Sequence, residues 1–341
     1  MNRDFERNTK FLTSIRGLAC IIVLIAHLTI LIPNVGSNTS GTGKIGVWLF
    51  FILSAFLLTI QWIDISKISL KEIFKFYNKR IFRVLPCYIV VLFMAFGLKY
   101  FVTINDVIEH MLLLKGRGHF WTIPVEMFYY LLVPIIMLTL DRKNYKKSLI
   151  VLTIYFCISV VAFPFWKYEE NSINLKWYIP VFIMGMILAY IYKLIENKPK
   201  KELKYDIIVI AIVIGMICSV PYMRNLLFNI KPDGYLQNKY LFFGLAWSII
   251  ILGIFNSKYL YDIFTNSKIL KKIGEISFPI YLVHYILLNK LRLSQPILRA
   301  LAVVVISILL AVILNKLIEQ PMIKLSKKIN NKFLEEKNGK I

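Results

Sequence analysis

Ten apolar stretches alternate with short polar segments along the whole chain, at 10–32, 44–63, 84–102, 121–140, 148–165, 177–194, 206–221, 238–256, 273–291 and 296–318. A helix of about 20 residues rises about 30 Å, the thickness of bilayer hydrocarbon. A backbone in hydrocarbon must satisfy its own hydrogen bonds, which leaves helices as the solution for stretches of this length. The pattern therefore predicts an all-α fold: one polytopic bundle of ten spans over residues 1–341. Stretches 148–165 and 206–221 are short, and their edges are the least defined. The first stretch lacks a small-residue cleavage site and carries Arg16, so it reads as a retained helix rather than a signal peptide. Hydrophobic residues make up 58% of the chain and its mean hydropathy is +0.65, which excludes an ordinary soluble domain.

The formal net charge of +23 would suggest nucleic acid in a soluble protein. Here 28 of the 42 lysines and arginines fall in six alternate segments: the N-tail (Arg3, Arg7, Lys10), 64–83, 141–147, 193–205, 257–272 and the tail from 319. That asymmetry predicts a multi-pass membrane protein with both termini in the cytoplasm. Anionic lipid headgroups are then the partner of most of this charge, and nucleic acid is not. Cys20, Cys87, Cys157 and Cys218 lie in or beside apolar stretches without metal-ligand spacing, so neither a disulfide framework nor a metal site is expected. The tail after the last stretch is short, which places any chemistry in the bundle itself.

Ionisable residues inside the spans mark where that chemistry would be. Arg16 and His27 are eleven residues apart in the first stretch, about 20° past three full turns, so they share one helix face roughly 16 Å apart. A charge near a span's centre costs about 2.5–3.5 kcal/mol, so this face should look into a polar interior. Taken singly, Arg16 also fits a snorkelling cation and His27 a hydrogen-bonded core histidine. Lys79, Arg80 and Arg83 lead into the third stretch as either a positive-inside cluster or a phosphate clamp. Ser54 in the second stretch can bond its own backbone. Glu126, with His119 and Trp121 before it, lies where an uncompensated carboxylate is costly. Tyr281 and His284 occupy the ninth stretch, and Glu319 ends the tenth, where pairing with Arg80 or Arg83 would make it structural support.

This ordered set resembles the acyltransferase 3 family of integral membrane acyltransferases. The family's Arg and His separated by ten residues match Arg16 and His27. Its Gly-Val-x-Leu-Phe-Phe-x-Leu-Ser-Gly-Phe segment matches Gly46–Phe56, with Ala55 for Gly and Trp48 where an acidic residue is common. The Arg-rich approach to span three, the Trp-to-Glu segment with Thr122 and Pro124 as departures, the segment Ile276–His284 and the closing Glu319-Gln320-Pro321 follow in register.

The resemblance implies an O-acyltransferase that moves an acyl group, usually acetyl, from cytoplasmic acyl-coenzyme A to a hydroxyl of a glycan, such as a cell-surface polysaccharide or its lipid-linked precursor. In that scheme Arg16, Lys79, Arg80 and Arg83 hold the coenzyme's phosphates. His27 is the base, since a free sugar hydroxyl is a poor nucleophile at neutral pH and imidazole titrates near it. Glu126 orients the imidazole. Ser54, His119, Trp121, Tyr281 and His284 contact substrate, and no metal takes part. One cavity is expected to run from the Arg80 region, narrowing toward His27, with Glu126 near its upper part. The alternative is a secondary transporter with an intramembrane His/Glu/Arg site, for which no inverted repeat or paired broken helices appear.

Overall fold

The computed structural model describes residues 10–32, 35–39, 41–65, 67–196 and 199–338, so Arg3, Arg7 and Lys340 of the basic tails lie outside the described residues. Its elements are α1 (Lys10–Leu28), α2 (Thr42–Ile63), α3 (Leu70–Gly97), α4 (Ile104–Met111), α5 (Thr122–Thr139), α6 (Tyr145–Ala162), α7 (Ile179–Ile195), α8 (Leu203–Cys218), α9 (Pro221–Phe228), α10 (Tyr240–Asn256), α11 (Leu260–Asn266), α12 (Lys268–Glu275), α13 (Ser277–Lys290), α14 (Pro296–Leu314) and α15 (Gln320–Asn338). A π-helical turn, Asn315–Glu319, joins the last two. Among the described residues no strand forms beyond the isolated bridge between Glu202 and Ser257. Each of the ten apolar stretches contains a helix, and the chain is a helical membrane bundle. Among the described residues six helices are long and apolar enough to cross a bilayer, α8 and α9 form a pair bent by 85°, and α7 and α10 are shorter apolar helices.

Local sequence accounts for several boundaries. The third stretch does not begin at 84: Ser69 caps the helix by accepting from the Glu72 amide, and α3 runs unbroken from Leu70 through Arg80 and Arg83 into the membrane. Thr103 and Asp106 make a reciprocal capping box that starts α4. The ninth stretch breaks at Ile276 into α12 and α13.

Helix α2 is the hub, packed against α1, α5, α7 and α10, and 83% of its apolar window is buried. Peripheral helices turn apolar ridges outward instead. On α6, Ile150, Ile154, Ile158 and Val161 are all more than half exposed, at the spacing of one helix face. Such a face is stable against acyl chains, not water.

The tightest crossing joins α1 to α12. Gly17 faces the Leu270 carbonyl and Gly274 faces that of Thr13, so a β-carbon at either glycine would overlap main chain. Backbone cannot move aside as a side-chain tip can. Gly274→Val is therefore expected to cost about 3 kcal/mol or more, overpacking the contact that holds the Arg16 segment. Gly215→Ala, where a β-carbon meets nothing within 4 Å, should leave stability unchanged or raised. Thermal unfolding of the two purified variants in detergent checks this, and equal midpoints would contradict it.

Candidate active site

Two cavities lie end to end in the bundle. The first, of about 890 Å³, is bounded by α1, α2, α3, α5 and α13 and is lined by Arg16, Arg80, Arg83, Gln61, Ser54, Glu126 and Tyr130, among others. Arg80 is buried, its guanidinium 5.8 Å from the ring centroids of both Phe76 and Tyr130 and its Nη2 3.4 Å from Gln61 Oε1. Its Nε has no partner. Arg16 and Arg83 have no hydrogen-bond or ion-pair partner among the described residues. Three guanidinium groups thus line one space, and among the described residues none is in ion-pair contact with a carboxylate. Glu126, in the same cavity, bonds neutral hydroxyls instead: Ser54 Oγ donates to its Oε1 at 2.8 Å and Tyr130 OH at 2.6 Å.

Lys79 does not belong to this group. It is exposed and does not line the cavity, because one residue along a helix turns the side chain by about 100°, away from Arg80. Glu319 is buried in the π turn and accepts from Asn315 Nδ2 at 2.8 Å, with neither Arg80 nor Arg83 in ion-pair contact. Its expected pairing with those arginines is therefore not made.

The second cavity, of about 1110 Å³, is lined by His27, His119, Trp121, Tyr285 and the first turn of α2, with loop residues such as Glu170 and Gln237. His27 Nδ1 lies 2.9 Å from His284 Nε2. The rings stack at 5.0 Å, and Tyr285 meets His27 edge-on at 5.0 Å. His284 is buried behind His27 and lines neither cavity, so it is placed to hold the imidazole rather than a substrate.

The proton positions on the two rings follow from their partners. His284 Nδ1 lies 2.7 Å from the Tyr281 carbonyl and 3.2 Å from that of Ile280; carbonyls only accept, so this nitrogen carries the hydrogen. Neutral His284 then has a bare Nε2, which accepts from His27 Nδ1–H. His27 Nε2 is left as a bare base. A β-carbon on Gly43 would lie 3.5 Å from that nitrogen, so it faces an edge of the cavity that carries no side chain. The orienting part expected of Glu126 is thus taken by His284, a neutral acceptor.

Among the described residues Val47 and Tyr281 line both cavities, which therefore adjoin at these two side chains. Tyr281 OH donates to the His119 carbonyl at 2.7 Å and accepts from Thr122 Oγ1 at 3.1 Å, which fixes its ring in place. The space expected from the sequence is lined in two adjoining parts, with Arg16 and Glu126 in one and His27 in the other. Ser54 lines the arginine cavity, whereas His119 and Trp121 line the histidine cavity. His119 Nε2–H donates to the Leu282 carbonyl at 2.8 Å, and Trp121 stacks on Tyr178 at 5.0 Å. Sequence reading missed Gln61, Lys44, Tyr130 and Tyr285. Tyr130 alone carried a signal, four residues after Glu126 and so on the same helix face.

The loop that delivers His119 is itself held by a histidine. His110 Nδ1–H donates to the Asp106 carbonyl at 2.6 Å, and its Nε2 accepts from the Arg117 amide at 2.9 Å. Burial holds this imidazole below the usual histidine range. The folded state then binds fewer protons than the unfolded one, so its stability is complete above the unfolded pKa of about 6.5 and is lost as pH falls below it. Exchange protection of the Arg117 amide is expected to drop between pH 7.5 and 5. Protection with no pH dependence beyond that of intrinsic exchange would count against this.

The profile of an acyltransferase domain matches residues 9–316 of the chain. The chain belongs to the acyltransferase 3 family. A Staphylococcus aureus (strain COL) protein named "Putative O-acetyltransferase" is 24% identical over 334 residues, covering 83% of this chain and 52% of the relative. The O-acetyltransferase OatA of S. aureus strain NCTC 8325 is 22% identical, with 83% and 52% covered. A protein of Acidianus two-tailed virus named "Putative acetyltransferase" is 26% identical, covering 81% of this chain and 82% of the viral one. The chain spans about half the length of the staphylococcal relatives it matches. No solved structure matches it.

Proposed function

We propose that the protein is a membrane O-acyltransferase which moves an acyl group, acetyl in the first instance, from acyl-coenzyme A in the arginine cavity to a glycan hydroxyl in the histidine cavity. The observation that carries this reading is the bare Nε2 of His27, oriented by His284 and facing a cavity that abuts one lined by three guanidinium groups. Guanidinium forks suit phosphate oxygens, which favours the arginine cavity as the donor end and, with the charge asymmetry of the loops, the cytoplasmic end. The pantetheine arm would lead the thioester toward Val47 and Tyr281.

In the transfer step His27 Nε2 removes the proton of the attacking hydroxyl as its oxygen bonds to the thioester carbonyl carbon. The carbon–sulfur bond then breaks, and the imidazolium returns its proton to the departing thiolate. His27 Nδ1–H keeps its bond to His284 throughout, so the ring need not turn between the two proton transfers.

Purified protein given acetyl-coenzyme A and acceptor oligosaccharides should release free coenzyme and yield acetylated product by mass spectrometry; a secondary transporter would turn over none. Arg16→Ala, Arg80→Ala and Arg83→Ala should each weaken acetyl-coenzyme A binding about tenfold or more, the value of a hydrogen bond to a charged group. Lysine at the same positions should restore only part, since the planar fork is lost. Lys79→Ala, outside the cavity, should bind as the parent does. Unchanged affinity in all three arginine variants would move the donor site elsewhere.

A further inference from the structure

Beside the imidazoles and aromatic rings of the second cavity sits one buried ammonium that the transfer step does not use. Lys44, in the first turn of α2, lines this cavity and is 8% exposed. Its hydrogen bond is to a neutral phenol, Tyr168 OH, at 3.4 Å, with the ammonium 5.3 Å from that ring's centroid. Among the described residues no carboxylate lies within the 4.0 Å of an ion pair. Glu170 lines the same cavity, acts on Lys44 from further away and is itself exposed. A buried cation without a counter-ion is costly, so the position asks for an anion that the fold does not supply.

The backbone around Lys44 points the same way. Helix α2 is 22 residues long and begins without a side-chain cap, after Gly41 in the left-handed region at φ 77°. Among the described residues no side-chain acceptor caps its N-terminal amides and partial positive charge. Gly41, Gly43 and Lys44 all line the cavity, which brings the first turn of the helix to its wall.

We infer that Lys44 and the N-terminal turn of α2 form an anion subsite, which takes a carboxylate or phosphate group of the acyl acceptor. The anion site stands on the geometry above, and its assignment to a glycan acceptor rests on the acyl-transfer reading. Gly43 borders His27 Nε2, so the charge would sit beside the hydroxyl that reacts, on the same sugar unit. The substrate class is then an acidic glycan unit, charged either by a uronate-type carboxylate or by a phosphate ester at the reducing end.

Three probes separate these sources on the wild-type protein in detergent: a glucuronate-containing tetrasaccharide, the same tetrasaccharide with its carboxyl reduced to the alcohol, and a neutral sugar 1-phosphate. At least one charged probe should bind about tenfold or more tightly than the reduced one, with a preference that shrinks as salt is added. The carboxylate or the phosphate is the anion according to which probe shows the preference. Lys44→Met should abolish it, Lys44→Arg retain it, and Glu170→Gln enlarge it. Equal binding of all three probes, binding of none, or a preference that survives in Lys44→Met overturns the subsite. The wild-type comparison stands even if Lys44→Met does not fold. Acetyl-coenzyme A titrated on the same preparation reports separately on the acyl-transfer reading, so the two can fail independently.

Discussion

Replacing His27 with alanine is expected to abolish acyl transfer while the protein stays folded in the membrane. The variant removes the bare Nε2 that takes the hydroxyl proton, a contribution of about 10²–10⁴ in rate for a positioned base. The side chain is half-buried at the edge of a cavity, so its truncation opens space that already exists. Acetyl transfer in detergent, with elution volume and thermal midpoint as controls for folding, measures both halves. Near-parental transfer by His27→Ala would remove the imidazole from the mechanism.

His284→Phe should come second in severity. It keeps an aromatic ring behind His27 but removes the acceptor at 2.9 Å, so His27 is free to hold its proton on the nitrogen that should be bare. Where such a tautomer is lost in a serine protease, the rate falls by about 10⁴; here a fall of about 10²–10⁴ in kcat is expected, with little change in acetyl-coenzyme A affinity. His284→Gln should recover part of the rate, because its amide oxygen can accept from His27 Nδ1. Glu126→Gln is the comparison that decides between the two candidate partners of the imidazole. Severe loss there with a mild effect at His284 would return the orienting role to the carboxylate.

Much of this was legible in the chain. The bundle follows from apolar length, and the shared face of Arg16 and His27 from helical angle alone. Arg80 and Arg83 could be read together for the same reason, three residues apart on one helix. What the sequence could not supply is contact between distant elements. His284 and His27 are 257 residues apart, and nothing local shows that they meet or that Glu126 meets Ser54 and Tyr130 instead. Lys79 went astray because a cluster of cations reads as one group until the helix turns each to its own side. Lys44 was hidden at the edge of an apolar stretch, where a lysine looks like a boundary rather than a lining. Tyr281 was legible as a substrate contact but not as a divider, since its place depends on the His119 carbonyl and Thr122.

The divider has a consequence for the membrane as an insulator. A protein that handed whole molecules across would have to open each chamber in turn, and every opening would risk a leak of ions down the membrane potential. Two chambers meeting at one tyrosine and one valine ask for no such cycle. On the proposed reaction only a group as small as an acetyl would have to pass that point, while the nucleotide end of the donor and the bulk of the acceptor would stay on their own sides. On the proposed reaction the lipid barrier would be kept by the same two side chains past which the acyl group is handed on.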